Sequence, residues 1–333
     1  MNTGDLTGSA VGPWTIIEKL GSGGMGSVYK ASSRRGKPIA LKVLDPELAH
    51  DEEFVNRFLM EVATLSELKH PNIAQYFNAD FEGDLFYYTM EYVDGRSLMD
   101  MLDHGHDFSE DEAAHIGIEV ADVLDYAAKR NIIHRDIKPD NILIEHKTEE
   151  VKVLDLGLAR YTHTALEKVT KGVRAIGTVD YMSPEQAMGL DDVDIRSDIY
   201  GLGATLFLLL TGSMPFEGDN DMNIMRRIVK EPPPRPGEIN PRLSKEIDYI
   251  ISKMMRHDRN RRYQKPREAM RDLIMFSEGA LKISSTRKHK RESQGVLIHR
   301  LWPNKTVLEI IIIGWMVLLT LLILFILLLL LSR

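Results

Sequence analysis

Residues 134–141 read HRDIKPDN, and they form the most specific pattern in the chain. Asp155-Leu156-Gly157 follows this stretch, and Ser183-Pro184-Glu185 comes later. A pattern with this many specified positions does not arise by chance. The segments before and after residues 134–141 are therefore interpreted in relation to this stretch.

On the N-terminal side, residues 21–28 read GSGGMGSV, a G-x-G-x-x-G-x-V run. Dinucleotide-binding sheets also use G-x-G-x-x-G, but there the glycines open a helix. Here Val28-Tyr29-Lys30 continues as a strand, and residues 36–38 turn the chain. The pattern predicts a glycine-rich hairpin whose backbone can approach phosphates closely. A plain flexible hairpin turn is the alternative.

The next strand contains Ala40-Leu41-Lys42, and a helix is predicted over about residues 51–68. Glu61 falls on the apolar face of that helix, in register with Phe58 and Leu65. An unpaired carboxylate there costs several kcal/mol. We therefore expect Lys42 to be the counter-ion of Glu61, the alternative being a glutamate at the edge of the face that reaches solvent.

Composition and charge exclude some classes of protein. The 333 residues contain no cysteine, which excludes a disulfide framework, a thiolate metal site and a cysteine nucleophile. The net charge of −7 does not indicate a nucleic-acid-binding protein. That charge is uneven, since residues 277–306 carry a net +5 and residues 1–276 a net −12.

The pattern of elements predicts an α+β fold. Residues 14–90 contain short β-branched and aromatic runs split by glycine and proline, which indicate antiparallel strands. Examples are Trp14–Leu20, Ser27–Lys30 and Ile39–Val43. Beyond residue 95 the pattern is mainly helical. Ser109 and Glu112 form a capping-box signature before an apolar-periodic helix. Residues 199–210 are apolar on nearly all sides and end at Gly212, as in a buried core helix.

Together, GSGGMGSVYKA, HRDIKPDNILI and GTVDYMSPEQA resemble the protein kinase family, and more narrowly the bacterial Hanks-type (eukaryotic-like) serine/threonine kinases. The resemblance covers about residues 14–276. It implies a bilobal protein kinase fold, with a β-rich lobe over about 14–93 and a helical lobe over about 94–276. Residues 1–13 would be an N-terminal tail.

The resemblance implies transfer of a phosphoryl group from ATP to serine and threonine hydroxyls of proteins. Asp136 would orient the hydroxyl and accept its proton, and Lys138 would neutralise the γ-phosphate. Lys42, oriented by Glu61, would hold the α- and β-phosphates.

Two oxygen ligands, Asn141 and Asp155, would hold Mg²⁺, with Mn²⁺ as a possible substitute. Leu156 departs from the phenylalanine usual at this place, and we expect activity to survive. The residues that would contact ATP besides Lys42 are Leu20, Gly21, Ser22, Gly23, Gly24, Met25, Gly26, Val28, Ala40, Met90, Glu91, Val93 and Leu143.

The resemblance also implies regulatory and architectural positions. Arg135 would pair with a phosphate on the activation loop, which would run over about residues 157–183. In this loop Thr170 is the expected autophosphorylation site and Thr178 a second regulatory residue. An exposed loop threonine is the alternative for Thr170. The architectural residues would be Asp198 and the pair formed by Glu185 and Arg262. Asp198 would hold the backbone of the catalytic loop, residues 134–141.

Residues 307–331 are apolar except for Glu309, Gly314 and Thr320. As a helix they would extend about 37 Å, enough to cross a roughly 30 Å bilayer core. The sequence thus predicts a single-pass, C-terminal transmembrane helix preceded by a basic juxtamembrane linker at 277–306. The positive-inside rule then puts the kinase domain in the cytoplasm. The linker would contact anionic lipid or simply be solvated.

The expected partners are protein substrates, a second copy of the chain through autophosphorylation or a homodimer of the small lobes, and membrane lipid. A catalytically silent pseudokinase scaffold that binds nucleotide or partners is the alternative function. Lys42, Glu61, Asp136, Asn141 and Asp155 are all present, which argues against that alternative.

Overall fold

The computed structural model describes residues 5–23, 26–33, 36–45, 52–156 and 179–281. These belong to one compact unit that spans Met1–Lys282. The predicted juxtamembrane linker lies outside the described residues from position 282 onward, as does the predicted transmembrane helix at 307–331. No helix of the described ranges is both long and apolar enough to span a membrane.

The N-terminal lobe is built on an antiparallel sheet in the order β1-β2-β3-β4-β6-β5. The strands are β1 (Ala10–Val11), β2 (Trp14–Gly23), β3 (Gly26–Ser32), β4 (Ile39–Leu44), β5 (Tyr76–Glu82) and β6 (Leu85–Glu91). Strands predicted at Trp14–Leu20, Ser27–Lys30 and Ile39–Val43 are found there. Alternation along each strand sends successive side chains to opposite faces. The sheet therefore has one face for its own small core and one face for the cleft.

Helix α1 (Glu52–Ser66) packs beside this sheet, close to the predicted bounds. Val55, Phe58, Val62 and Leu65 are buried in the same core cluster as the cleft-facing side of the sheet. The opposite face holds a separate cluster that includes Tyr29, Leu41 and Tyr87.

The C-terminal lobe is mainly helical. A three-stranded sheet at its border with the other lobe runs in the order β7-β8-β9. The elements are β7 (Gly95–Ser97), α2 (Leu98–Asp103), α3 (Glu110–Ala128), β8 (Ile142–Glu145), β9 (Val151–Val153), α4 (Pro184–Ala187), α5 (Ile195–Thr211), α6 (Asp221–Lys230), α7 (Pro236–Ile239), α8 (Lys245–Met254) and α9 (Pro266–Ser277).

The predicted helix signals are found in this lobe. Ser109 and Glu112 form a reciprocal capping box at the start of α3, in which each side chain bonds the other's backbone amide. Helix α5 is almost entirely buried and ends at Gly212, which has a left-handed φ of 67°. Gly201 of α5 lies against Ile137, so a Cβ there would come within 3.1 Å of the Ile137 carbonyl oxygen. The buried helix is thus the support on which residues 134–141 rest.

Candidate active site

The backbone of the catalytic loop is held by Asp198 of helix α5. Its two carboxylate oxygens accept hydrogen bonds from the amides of His134 at 2.8 Å and Arg135 at 2.7 Å. Arg135 has a left-handed φ of 69°, which costs energy for a side chain with a Cβ. Burial raises the pKa of Asp198 above its ordinary value, although the backbone amides and His134 oppose that shift. The loop conformation therefore depends on a buried acceptor.

His134 is a packing residue in this structure. Its ring is buried, and Nε2 bonds the carbonyl oxygen of Leu154 at 2.8 Å. The amide of Asp136 lies 3.3 Å from Nδ1 and donates to it, which requires the proton to be on Nε2. Nε2 thus joins the catalytic loop to the residue that precedes Asp155, while Nδ1 bonds within the loop itself.

The Asp136 carboxylate lies among cationic and amide groups. Lys138 Nζ is 2.9 Å from Asp136 Oδ2. Asn141 Nδ2 donates to the same oxygen at 3.0 Å and to the Asp136 carbonyl at 2.8 Å. Because the Asn141 amide nitrogen faces Asp136, its amide oxygen remains as an acceptor for another group.

Lys42 reaches across the cleft to Asp155, with 2.6 Å between Nζ and Oδ2. Glu61 was the expected counter-ion of Lys42. Within the described part of the chain, Lys42 instead forms its ion pair with Asp155. Glu61 is half-buried on α1. The strand of Lys42 and the loop of Asp155 are 113 positions apart, so only the fold brings them together.

The charge state of Asp155 follows from its surroundings. Burial opposes ionisation, but the Lys42 ammonium and the hydrogen bonds from Lys42 and Tyr88 hold the pKa of Asp155 below its ordinary value. Burial and the Asp155 charge raise the pKa of Tyr88 well above its ordinary value. Tyr88 is therefore an O–H donor facing an ionised carboxylate.

Asp155 and Asn141 fit a hard divalent cation. An ionised carboxylate and an amide oxygen are the donors that Mg²⁺ prefers, and Mg²⁺ in phosphoryl-transfer sites typically takes one or two protein ligands plus substrate phosphates. The Leu154 amide donates to the Asn141 carbonyl at 2.8 Å, so the segments that carry Asn141 and Asp155 lie side by side. Asp155 has a left-handed φ of 50°, which is another strained backbone position in this cleft.

The expected ATP-contacting residues are divided between the N-terminal sheet, the residues that follow it, and β8 of the other lobe. Ala40 and Met90 are cross-strand neighbours, as are Val28 and Lys42. Gly26 has φ 135°, and a Cβ there would overlap the Val43 carbonyl, so only glycine fits. The remaining described positions are Leu20, Gly21, Ser22 and Gly23 at the end of β2, Glu91 at the end of β6, Val93 two residues further on, and Leu143 in β8. Gly24 and Met25 lie outside the described residues.

Two residues that the sequence did not single out, Lys152 and Gln75, hold the Glu91 side chain at the end of β6. Lys152 Nζ is 3.0 Å from Glu91 Oε1, and the Gln75 amide donates to Glu91 Oε2 at 3.1 Å. These contacts tie the end of β6 to β9 and to the residue before β5. No spacing rule in the sequence points to them, because the three residues are far apart in the chain.

Glu185 and Arg262 form a buried two-point ion pair, with oxygen–nitrogen distances of 2.6 and 2.8 Å. The Ser197 hydroxyl also donates to Glu185 at 2.6 Å. The neighbouring Gln186 donates from Nε2 to the carbonyl of Arg135 at 2.8 Å, which ties α4 to the catalytic loop. Ser183 caps α4 through Gln186 and is buried.

The predicted regulatory threonines, Thr170 and Thr178, lie outside the described residues. Arg135, the predicted phosphate partner, is half-buried next to Asp136. The pairing of Arg135 with a phosphorylated loop therefore stays a prediction.

Comparison with known proteins identifies the class. The protein kinase domain family matches residues 14–273, so the chain belongs to that family. It is 26% identical to the kinase domain of Mycobacterium tuberculosis PknI, with a TM-score of 0.64, over 80% of this chain and 98% of that one. The described lobes are thus those of the bilobal protein kinase fold.

Curated relatives narrow the comparison. The chain is 35% identical over 295 residues to the probable serine/threonine-protein kinase PknB of Bifidobacterium longum, covering 86% of this chain and 42% of the relative. It is 38% identical over 271 residues to the serine/threonine-protein kinase PknB of Mycobacterium tuberculosis, covering 80% and 43%. The chain therefore spans about two fifths of the length of these relatives.

Proposed function

We propose that the chain is a serine/threonine protein kinase that transfers the γ-phosphoryl group of ATP to protein hydroxyls, with a divalent cation as cofactor. The observation that carries the proposal is one cleft containing Asp136 with Lys138 and Asn141 at 2.9 and 3.0 Å, facing Lys42 and Asp155. The PknB relatives, which are named as serine/threonine kinases, support the substrate class.

Each residue has a role that follows from its surroundings. Asp136 orients the substrate hydroxyl and takes its proton, while Lys138 beside it supplies positive charge where the transferred group is most negative. Lys42, on a rigid central strand, binds the α- and β-phosphates. Mg²⁺ held by Asp155 and Asn141 would neutralise phosphate charge. Most of the catalysis is therefore positioning and charge neutralisation.

Autophosphorylation on the activation loop is part of the proposal. The Arg135 side chain next to Asp136 is the cation that a phosphate on Thr170 would recruit. Phosphosite mapping on the active full-length chain should find phosphate at Thr170, and Thr170→Ala should lower activity. A Thr170→Ala variant with full activity would contradict this part.

We further propose that the chain is anchored in a membrane through residues 307–331, with the kinase domain on the cytoplasmic side. The support is the apolar run itself and the net +5 of residues 277–306 before it. Contact of this basic segment with anionic lipid and dimerisation through the small lobes are secondary expectations. Protease treatment of intact and opened cells tests the orientation, because protection of the kinase domain only in intact cells is the expected result.

The test of catalysis uses labelled ATP and the purified full-length chain. The unmodified chain should label itself or a protein substrate on serine and threonine, and Lys42→Met and Asp136→Asn should not. Binding of nucleotide by the unmodified chain without any transfer would favour the pseudokinase scaffold instead.

A further inference from the structure

We propose that Tyr88 is a positioning residue for the metal-binding carboxylate of Asp155. The inference rests on the proposed function, since it concerns how the chain prepares Asp155 for a divalent cation. Tyr88 is outside every motif of the sequence, and its place became visible only from the fold.

Strand pairing delivers Tyr88 to the site. Tyr88 on β6 is the cross-strand partner of Lys42 on β4, so both side chains leave the sheet on the same face. The adjacent Tyr87 points to the opposite face, into the separate core cluster with Tyr29 and Leu41. Two neighbouring tyrosines of one strand therefore have entirely different surroundings.

Tyr88 and Lys42 hold different oxygens of the same carboxylate. The Tyr88 hydroxyl donates to Asp155 Oδ1 at 3.2 Å, while Lys42 Nζ is 2.6 Å from Oδ2. The Lys42 ammonium also lies 5.8 Å from the centre of the Tyr88 ring. Because the proposed function assigns Lys42 to the phosphates of ATP, Tyr88 is the partner that Asp155 can keep when nucleotide binds.

The Tyr88 side chain is fixed by its neighbours. It is 0% exposed, and its ring is 5.4 Å from the ring of Phe58 on α1 and stacked on Tyr76 at 6.0 Å. A hydroxyl held this way is preorganised, so its bond to Asp155 costs little further ordering. Asp155 sits on a left-handed backbone, and an outer hydrogen bond is the kind of contact that keeps such a ligand oriented.

The contact also joins the metal ligand to helix α1. Phe58 is on the same helix as Glu61, and Leu156, which follows Asp155, is buried in the same core cluster as Phe58 and Tyr88. Tyr88 thus lies where the β4–β6 strand pair, the helix and the Asp155 loop meet. Removal of the Tyr88 hydroxyl alone should remove the hydrogen bond to Asp155 and leave the packing of the ring intact.

The test is Mn²⁺ binding, measured by titration calorimetry on the full-length chain in mild detergent with the non-hydrolysable nucleotide AMP-PNP. Tyr88→Phe should weaken Mn²⁺ binding about tenfold, as loss of an outer hydrogen bond to a metal ligand does. Tyr87→Phe, which removes the same hydroxyl from the opposite face of the strand, should leave the Mn²⁺ affinity unchanged. Affinity for AMP-PNP in EDTA should be unchanged in both variants.

The possible results separate the two proposals. Mn²⁺ affinity of Tyr88→Phe equal to or tighter than that of the unmodified chain would overturn the role of Tyr88, as would an equal loss in Tyr87→Phe. An unmodified chain that binds no Mn²⁺ with AMP-PNP would instead overturn the metal site of the proposed function. Thermal melts of both variants report the folded fraction, so that a loss of structure is not counted as a loss of affinity.

Discussion

The ion pair between Glu185 and Arg262 can be tested by removing the acid with Glu185→Ala. The two side chains are 5% and 0% exposed. Among the described residues, the hydrogen-bond acceptors that remain for the guanidinium are then the backbone carbonyls of Arg196, Arg256 and His257. No described carboxylate replaces Glu185 as the counter-ion of the buried positive charge.

Breaking a buried pair in this way costs about 3–5 kcal/mol of unfolding free energy. In a domain of this size each kcal/mol lowers the melting temperature by about 2–4 °C, so the expected loss is about 6–20 °C. The measurement is thermal and urea unfolding of the full-length chain followed by circular dichroism.

Glu231→Ala is the matched control. Glu231 pairs with Arg227 one helical turn away on α6, at 3.1 Å, but these side chains are 49% and 43% exposed. An exposed pair is worth about 0–1 kcal/mol. A loss of stability in Glu185→Ala no larger than that in Glu231→Ala would refute the reasoning. The double change Glu185→Leu with Arg262→Met should be less harmful than Glu185→Ala, because it leaves no buried charge.

Three further predictions concern the same architecture. Asp198→Asn places an amide NH₂ opposite a backbone donor, so it should lower both the melting temperature and the phosphoryl-transfer rate, and an unchanged rate would contradict its role in the loop. Gly26→Ala should destabilise the chain by more than about 1 kcal/mol because its Cβ would meet the Val43 carbonyl, whereas Gly21→Ala, with no atom within 4 Å, should have little effect in the same unfolding assay. Burial opposes ionisation of Glu185, but Arg262 and Ser197 lower its pKa below the ordinary 4.5. The contribution of the Glu185 carboxylate to the unfolding free energy is therefore present above pH 4.5 and lost as pH falls through the lower folded pKa. Unfolding free energies should thus differ between the unmodified chain and Glu185→Gln at pH 7 and converge in acid.

Local signals made much of the fold predictable. The capping box of Ser109 and Glu112, the helix bounds near 52–66 and the glycine that ends α5 each depend on residues close in sequence. Their physics is local, since a helix end is decided by its own unsatisfied amides and carbonyls. The change from strand-like runs to helical periodicity indicated an α+β fold, and the resemblance to protein kinases implied its two lobes.

The contacts across the cleft were not predictable in the same way. Lys42 was expected to pair with Glu61 on a neighbouring helix, but the fold gives it Asp155. Either carboxylate satisfies the rule that a buried charge needs a partner, and the rule does not choose between them. The choice depends on how the two lobes approach each other, which no sequence period encodes.

Tyr88 and Gln186 show a second kind of gap. Tyr88 is a polar residue in an otherwise ordinary strand, and Gln186 lies within GTVDYMSPEQA without a role that this stretch assigns to it. Strand alternation predicts that Tyr88 shares a face with Met90 but does not reveal that its hydroxyl meets a carboxylate. Gln186 likewise bonds the Arg135 carbonyl from 51 positions away. Hydrogen bonds of this kind become visible only when the backbone is in place.

The central claim is that Asp136 performs catalysis and that the cleft binds ATP independently of it. The most direct measurement is the rate of γ-phosphoryl transfer to casein by the full-length chain and by Asp136→Asn, alongside the affinity of each for MgATP. Loss of the carboxylate should lower the rate about 10²–10⁴-fold and leave the affinity within about twofold. An unchanged transfer rate in Asp136→Asn, or no transfer by the unmodified chain, would contradict the account.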